Sequence, residues 1–396
     1  MISKELKNNL SGSSWVRKMF EEGEKLRAIY GADKVYDFSL GNPEFNPPVE
    51  VKTKLKEIVN SDISGIHKYM NNAGFSDVRL KIAENLNKDL ISPLGEKHII
   101  MTCGAAGGLN IVLKTILNPE EEVIVFAPFF GEYKFYASNY GGKCIVLPTL
   151  KESFQIDLDL FEKSINEKTK AVIINSPNNP TGVIYSEDIL KKMADIIDKK
   201  EKEYGSYIFL LSDEPYSKIV YDGIKLPVIH NIFKNSIIIN SYSKSLSLPG
   251  ERVGYLAINS KIEDIDLLFN GLVFANRTLG YVNAPALFQK VIADCLDATV
   301  DVEAYKERRD ILYNELTSLG FSCIKPEGAF YLFPKSLIED DVEFVLKAKE
   351  FNILLSPGSG FGCPGYFRLS YCVSMETIKN SLEGFKKLAE YYKITN

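Results

Sequence analysis

A lysine in a polar turn is the residue of this sequence with the clearest chemical capacity. Lys244 follows the apolar run 237–239 and lies among serines, with Arg252 further along the same turn. A lysine at the end of a strand can direct its amine into a cleft and form a Schiff base with a carbonyl compound. A nearby arginine can bind a phosphate dianion through two parallel hydrogen bonds. The pair therefore suits a ligand with an aldehyde and a phosphate, unless Lys244 is an ordinary surface lysine near a helix start.

An acid and a phenol follow another apolar run. Asp213 and Tyr216 come after residues 207–211, at the carboxyl end of a predicted strand, where ligands bind in open α/β sheets. An aldehyde and a phosphate together describe pyridoxal phosphate, whose ring is a pyridine. A carboxylate against the pyridine nitrogen keeps that nitrogen protonated, so that the ring accepts the electrons of a carbanion. The competing interpretation of Asp213 is a helix or turn cap, which is a frequent use of aspartate.

Three more segments at strand ends carry groups that suit such a ligand. Residues 101–108 form a glycine-rich link to a predicted helix over 105–117, whose backbone N–H groups can approach a phosphate. Residues 175–182, Asn-Ser-Pro-Asn-Asn-Pro-Thr-Gly, fix a rigid turn. Phe130 follows the run 123–126 and either stacks on a flat ligand ring or belongs to the core.

An arginine near the C-terminus completes the set of candidate groups. Arg368 lies between apolar neighbours in the segment 366–371. A charged side chain in such a setting needs a partner, and a guanidinium pairs with a carboxylate in a fork geometry. The partner is either the α-carboxylate of a ligand or an acidic residue in a structural ion pair.

In chain order, these segments resemble the motifs of the class I/II (fold type I) aminotransferases, which use pyridoxal 5′-phosphate. The lysine segment 241–255, the turn 175–182 and Arg368 carry the resemblance, which covers nearly the whole chain. The resemblance implies a transaminase that moves an amino group between an L-amino acid and a 2-oxo acid. Aspartate-type specificity is one option within that class.

The resemblance implies a full set of cofactor ligands. Lys244 would hold the cofactor and, once the substrate displaces it, move the substrate's α-proton as general base and acid. Asp213 would face the pyridine nitrogen. The other implied cofactor ligands are Ala105, Ala106, Phe130, Asn179, Tyr216, Ser241, Arg252 and the Tyr69 of a neighbouring subunit.

The resemblance also implies where the substrate binds. Arg368, Asn179 and the backbone of Gly41 would hold its α-carboxylate. Arg277 is similar to an arginine that, in one branch of the family, crosses a dimer interface to read a dicarboxylate side chain; a solvated or interface arginine is the alternative. Ala105 stands near the place where some bacterial aspartate enzymes of the family use a lysine for that purpose, so that device is missing. If Tyr69 and Arg277 reach a neighbouring site, the protein is a homodimer with shared active sites.

Two other functions stay open at this stage. A C–S lyase that catalyses β-elimination uses the same cofactor, although the Pro-Thr-Gly ending of the turn 175–182 favours transamination. A non-catalytic regulator that binds pyridoxal phosphate is the second alternative. Such regulators usually carry an additional DNA-binding domain, for which we expect no room before Gly41.

The elements that must position these residues follow from the apolar pattern. Short continuous runs predict strands buried on both faces, at 98–101, 123–126, 144–147, 171–174, 207–211, 237–239 and 253–258. They alternate with amphipathic stretches such as 186–203. The prediction is an α/β fold of type I, in which helices sandwich a mostly parallel seven-stranded sheet.

From about residue 286 the pattern changes to that of a smaller α+β domain. One long helical stretch leads through 301–318, and further helices are predicted at 339–351 and 376–392. Short strands are predicted around 328–333 and 367–371. We therefore expect a large cofactor-binding domain, 49–285, and a small domain formed by both chain ends, 1–48 and 286–396.

The composition excludes several classes of partner. The 396 residues carry a net charge of −5, which gives no reason to expect nucleic acid or an anionic membrane as a partner. No apolar run has the length of a membrane span. The three histidines, His67, His98 and His230, lack the spacing of metal ligands. Six scattered cysteines and a polar N-terminus predict a cytoplasmic protein with reduced thiols and no secretory signal.

Overall fold

The computed structural model describes residues 2–3, 6–7, 9, 15–31, 34–61 and 63–395. The helices are α1 (Trp15–Tyr30), α2 (Val49–Val59), α3 (Ser76–Leu86), α4 (Gly104–Ile116), α5 (Glu132–Ser138), α6 (Leu158–Ser164), α7 (Glu187–Tyr204), α8 (Ile229–Ile232), α9 (Tyr242–Ser245), α10 (Ile265–Thr278), α11 (Ala286–Ala293), α12 (Val302–Ser318), α13 (Asp341–Glu350) and α14 (Met375–Thr395). The strands are β1 (Tyr36–Asp37), β2 (Ile99–Thr102), β3 (Glu122–Ala127), β4 (Lys143–Pro148), β5 (Thr169–Asn175), β6 (Phe209–Asp213), β7 (Ser236–Ser241), β8 (Gly254–Ile258), β9 (Tyr331–Leu332), β10 (Ile353–Leu354), β11 (Ser356–Pro357) and β12 (Phe367–Ser370). No helix among these residues is long and apolar enough to cross a bilayer.

A seven-stranded sheet forms the centre of the larger part of the protein. Its strand order is β2-β8-β7-β6-β5-β3-β4. All pairs are parallel except the two that involve β8, which runs antiparallel to both β2 and β7. Each of the seven predicted apolar runs forms one of these strands, so the prediction of a mostly parallel sheet is confirmed.

The sheet is apolar on both faces because helices cover both. Along β3, Val123 and Val125 belong to one apolar core, whereas Ile124 and Phe126 belong to another. Successive strand side chains point to opposite faces, so each strand contributes to both cores. A continuous apolar run, rather than an alternating one, is the consequence.

A third apolar core lies outside this sheet. It contains Tyr305, Phe330, Phe344 and Phe367, and residues of the N-terminal segment such as Phe38 also belong to it. The helices α12, α13 and α14 surround a small sheet of order β11-β12-β9. This part has the α+β character that the sequence predicts, although β9 is shorter than the predicted strand around 328–333.

The predicted helical stretch from residue 286 is confirmed at its end, where α12 (Val302–Ser318) matches 301–318, but its continuity is wrong, because the helix is interrupted between α11 and α12. Ala293 and Cys295 pack in the core of the large sheet, whereas Val300 packs in the third core. The Val300 N–H donates to the Ser245 carbonyl (2.9 Å), and the Asp301 side chain caps α12. The second helix therefore begins only at Val302, after the chain has passed from one core to the other.

The division into domains at residue 285 stays a prediction. Helix α11, which the sequence assigns to the small domain, packs here against α2 and α3 of the large part.

Gly254 lets the backbone of β8 approach its neighbours closely. A Cβ atom at this position would lie 2.4 Å from the Asn240 carbonyl oxygen and 3.1 Å from backbone atoms of Gly104. Gly250, in the same connection, has no atom within 4 Å of an added Cβ. Only one of these two glycines is therefore required by packing.

We expect Gly254→Ala to lower the free energy of unfolding by about 1–3 kcal/mol, because the added methyl group overpacks a rigid backbone contact. Gly250→Ala is the matched control and should leave it nearly unchanged. Urea unfolding followed by circular dichroism measures both. Equal midpoints for the two variants would contradict the packing argument.

Candidate active site

The carboxyl ends of β5, β6 and β7 open into a cavity of about 630 Å³. Most of the predicted site residues line this cavity, namely Gly41, Ala105, Ala106, Phe130, Asn179, Asp213, Tyr216, Ser241, Lys244, Arg252 and Arg368. They come from segments spread over the whole chain. The fold therefore brings together groups that the sequence predicts only one by one.

Lys244 lies on the one-turn helix α9, directly after β7. Its Nζ atom donates to the Gly41 carbonyl oxygen (2.5 Å) and lies 5.4 Å from the centre of the Phe330 ring. Burial lowers the pKa of the amine to about 8, and the positive charges of Arg368 and Arg252 act in the same direction. An amine with this pKa is partly neutral near physiological pH, as a nucleophile or base must be.

Asp213 is the last residue of β6 and is buried. Its Oδ2 atom accepts a hydrogen bond from the Tyr133 hydroxyl (2.6 Å), whereas Oδ1 has no partner among the described residues. Burial raises the pKa of the carboxyl to about 6, and the bond from Tyr133 opposes that shift. A buried acceptor without a donor is costly, so Oδ1 fits a cationic N–H group on a ligand in the cavity.

A second part of the cavity is suited to a phosphate. Gly104 begins α4 with a left-handed φ of +72°, and the N–H groups of Ala105 and Ala106 in its first turn have no intrahelical acceptor. The Arg252 guanidinium lies so close that a Cβ on Gly104 would be 2.7 Å from its Nη2 atom. Together with the Ser241 hydroxyl group, these donors can hold an anion at the helix N-terminus.

A third part is suited to a carboxylate. The buried Arg368 side chain donates from Nη1 to the Asn179 Oδ1 atom (3.1 Å) and from Nη2 to the Ser39 carbonyl oxygen (2.6 Å). Its Nε atom has no acceptor, and no acidic residue among those described pairs with it. The alternative of a structural ion pair is therefore wrong for the described chain, and the guanidinium remains available to an anionic ligand.

The turn that carries Asn179 is fixed by its neighbours. The Asn175 Oδ1 atom accepts from the Asn179 N–H group (2.7 Å), and the Asn175 side-chain amide donates to the Asp213 carbonyl (2.8 Å). The turn 175–182 and the end of β6 are thus one hydrogen-bonded unit. This explains why polar residues are tolerated in a buried loop.

Two tyrosines of the site escaped the sequence interpretation. Tyr133 bonds Asp213, and the Tyr331 hydroxyl lies 2.7 Å from that of Tyr216. Tyr133 lies in the segment after β3 that contains Phe130, so its position on the sheet edge was a usable signal. Tyr331 lies in an apolar string that gives no sign of a polar role.

Two predicted residues lie outside this cavity. Tyr69 is 94% exposed and lines a separate surface depression with Tyr281 and Asn283. Arg277 is exposed at the end of α10, with its guanidinium 5.1 Å from the Phe274 ring centre. Neither residue reaches the cavity of its own chain, so their predicted roles require a second copy and stay predictions.

The sheet order and the lysine, acid and arginine at its edge define a fold type I pyridoxal-phosphate enzyme. The family described as Aminotransferase class I and II matches residues 33–385, and the chain belongs to this family. It is therefore a transaminase, and its cofactor is pyridoxal 5′-phosphate.

Individual relatives agree over nearly the full length. An aspartate aminotransferase of Bacillus subtilis (strain 168) is 33% identical over 90% of this chain and 91% of its own. A probable aspartate/prephenate aminotransferase of Aquifex aeolicus is 32% identical over 93% and 94%. The crystal structure of an aminotransferase from Eubacterium rectale superposes with a TM-score of 0.95 at 45% identity, covering 99% of both chains. That of the Thermus thermophilus aspartate aminotransferase with maleate gives 0.87 at 25%, covering 98% and 99%.

The residues present fit this cofactor. The unpartnered Asp213 Oδ1 atom suits the pyridine nitrogen, the N-terminus of α4 with Arg252 suits the phosphate, and the Lys244 amine suits the aldehyde. When bound, the cofactor supplies an electron-accepting ring that stabilises negative charge on the substrate's α-carbon. No cluster of histidine, cysteine or acidic residues suited to a metal ion occurs in the described part of the chain.

The lowered pKa of Lys244 predicts how its reactivity depends on pH. Only the neutral amine attacks an aldehyde, so the rate of labelling should rise through pH 8 and level off above it. The measurement is trapping of pyridoxal by borohydride, with the labelled lysine identified by mass spectrometry. Lys347, whose pKa is raised by Glu350, is the internal control and should react faster only at higher pH. A common pH profile for both lysines would be incompatible with the proposed environment of Lys244.

Proposed function

We propose that the chain exchanges amino groups between L-amino acids and 2-oxo acids, with Lys244 as the group that moves the substrate's α-proton. The observation that carries this proposal is the buried Arg368, which has no acidic partner among the described residues and lines the same cavity as Lys244 and Asp213. A guanidinium of this kind binds a carboxylate through two parallel hydrogen bonds. Both an amino acid and a 2-oxo acid carry such a carboxylate beside the reacting carbon.

Each of these residues has a defined task in the reaction. Arg368 and the Asn179 side chain orient the α-carboxylate. The Gly41 carbonyl accepts a hydrogen bond from the Lys244 amine and so holds this amine in the same cavity. With a pKa of about 8, Lys244 can take up the α-proton and return it, acting in turn as base and acid. Asp213 stays ionised above about pH 6 and then provides the negative charge that a protonated ring nitrogen needs.

Removing the proposed base tests this assignment. Lys244→Ala should lower the rate of oxo-acid formation by at least about a hundredfold, the range that general acid–base catalysis spans. Arg368→Lys keeps the charge but loses the fork geometry, so it should raise KM for the amino acid more than it lowers kcat. Lys386→Ala, an exposed lysine of α14, is the control.

The same preparation separates transamination from elimination. Pyruvate formation from cystathionine without added 2-oxo acid would identify a lyase, and cofactor binding without turnover of any amino acid would identify a non-catalytic protein. Full transaminase activity in Lys244→Ala would remove the lysine from the mechanism.

We also propose that the active sites are shared in a homodimer. Tyr69 and Arg277 are exposed in the single chain, and each would complete the cavity of a second copy. The charges of the cavity wall determine which substrate side chains bind there. The wall contains the half-buried Glu132, which has no ion-pair partner among the described residues. A second carboxylate on the substrate would be repelled by Glu132, and Arg277 of the other copy would offset this repulsion together with Lys134, which lines the same cavity. With Arg277 of the other copy at this position, the chain would accept aspartate, the substrate that appears in the names of its relatives.

Arg277→Ala should lower kcat/KM for aspartate and glutamate by at least about tenfold, since a desolvated charge pair is lost. The values for alanine and phenylalanine should change little. Co-expression with a Lys244→Ala chain should restore aspartate activity, because the mixed dimer then contains one intact site. Equal losses on all substrates would indicate a structural role, and failure to restore activity would contradict shared sites.

A cytoplasmic location is part of the proposal. All six cysteines are free, which suits a reducing compartment. Burial raises the pKa of the Cys323 and Cys144 thiols to about 12. These two thiols therefore stay protonated, and the protonated form resists oxidation.

A further inference from the structure

We propose that Tyr331 is a positioning residue that couples the cofactor side of the cavity to its substrate side. The proposal rests on the function proposed above. Tyr331 lies on β9, is 2% exposed and lines the cavity. Its hydroxyl group contacts one assigned residue, Tyr216, and its ring contacts another, Arg368.

The hydroxyl group orients the proton of Tyr216. The two phenol oxygens are 2.7 Å apart, so one hydroxyl donates to the other. If Tyr216 donated, the Tyr331 proton would have no acceptor among the described residues. If Tyr331 donates, the Tyr216 proton is free for an acceptor bound in the cavity, and both protons are satisfied. Either hydroxyl group of the pair can donate. When an acceptor in the cavity takes the Tyr216 proton, Tyr331 is the one that donates between the two phenols, and we propose that this arrangement holds in the holoenzyme.

Gly41 fixes the place of this hydroxyl group. A Cβ atom at position 41 would lie 2.1 Å from the Tyr331 Oη atom, so the phenol occupies space that only a glycine leaves open. Because the Gly41 carbonyl also accepts from Lys244, the phenol lies beside the proposed base.

The ring of Tyr331 restrains Arg368. The guanidinium carbon lies 4.8 Å from the centre of the Tyr331 ring and 4.7 Å from that of Phe361. Both distances fall within the range of a cation–π contact. Aromatic rings limit the rotation of the guanidinium, which keeps its donors directed at the carboxylate position.

The two contacts of Tyr331 can be separated by substitution. Tyr331→Phe removes the hydroxyl group and keeps the ring, whereas Tyr331→Leu removes both. Tyr371 provides a matched control, because it is buried in the same apolar core and its hydroxyl bonds that of Tyr221 (3.2 Å). Tyr371 does not line the cavity. Tyr371→Phe therefore removes a comparable hydrogen bond between two phenols and leaves the cavity lining unchanged.

The experiment is a pH titration of the bound cofactor's absorbance in the holoenzyme, together with kcat, KM and urea unfolding. Without the Tyr331 hydroxyl group, Tyr216 is a weaker hydrogen-bond donor. It then gives less stabilisation to negative charge on the cofactor oxygen that accepts its proton. Tyr331→Phe should therefore move the titration midpoint upward by about half a pH unit, the scale of one net hydrogen bond. It should lower kcat and leave KM for the amino acid unchanged. Tyr331→Leu should in addition raise KM by about fivefold, since Arg368 loses a cation–π partner.

Tyr371→Phe should shift neither the titration midpoint nor KM. If Tyr331→Phe resembles Tyr371→Phe, with lower stability alone, the coupling is overturned. If Tyr331→Leu leaves KM unchanged, the restraint on Arg368 is overturned. The titration requires no turnover, so a wild-type holoenzyme that binds cofactor and does not transaminate would refute the proposed function while the midpoints still decide the role of Tyr331.

Discussion

The structure depends on burying three ionisable groups around one cavity without pairing them to each other. Lys244, Asp213 and Arg368 are held by backbone carbonyls, an asparagine and a tyrosine, and none forms an ion pair among the described residues. Removing such charges from water costs several kcal/mol each. Neutral hydrogen bonds offset only part of this cost. The remainder is available to a ligand that brings the opposite charges, and its binding therefore stabilises the folded chain.

The sheet was predictable because both of its faces are buried, which produces the continuous apolar runs that mark each strand. The polar groups at the strand ends were predictable for the same reason, since Asp213 lies two positions after one such run and Asn179 lies in the turn that follows another. The contacts between residues that are distant in sequence were not predictable. Tyr216 and Tyr331 are separated by 115 positions, and nothing local distinguishes Tyr331 from a core aromatic residue. The break before α12 was also hidden, because helical spacing continues on both sides of it.

The N-terminal segment supplies neutral acceptors to two of the cations of the site, Arg368 and Lys244. The Ser39 carbonyl accepts from Arg368 and the Gly41 carbonyl accepts from Lys244, so two carbonyl groups of one short segment solvate two buried charges. Ser39 is itself held by Asp37, which accepts from both its N–H and its hydroxyl group. Asp37 in turn pairs with Arg27 of α1 (2.8 Å). A segment far from the sheet in sequence thus sets the electrostatics at its edge.

The reversed direction of β8 has a consequence for how the ligand's two ends are spaced. Because β7 and β8 are antiparallel, with Ser241 opposite Gly254, a single short connection leaves the sheet and returns to it at the same edge. Lys244 and Arg252 both lie on that connection, so the distance between the Lys244 amine and the Arg252 guanidinium is set within one local segment of chain. An insertion in this connection would change the distance between the Lys244 amine and the Arg252 guanidinium directly. The length of this one segment of chain therefore limits the length of the ligand that both groups can contact.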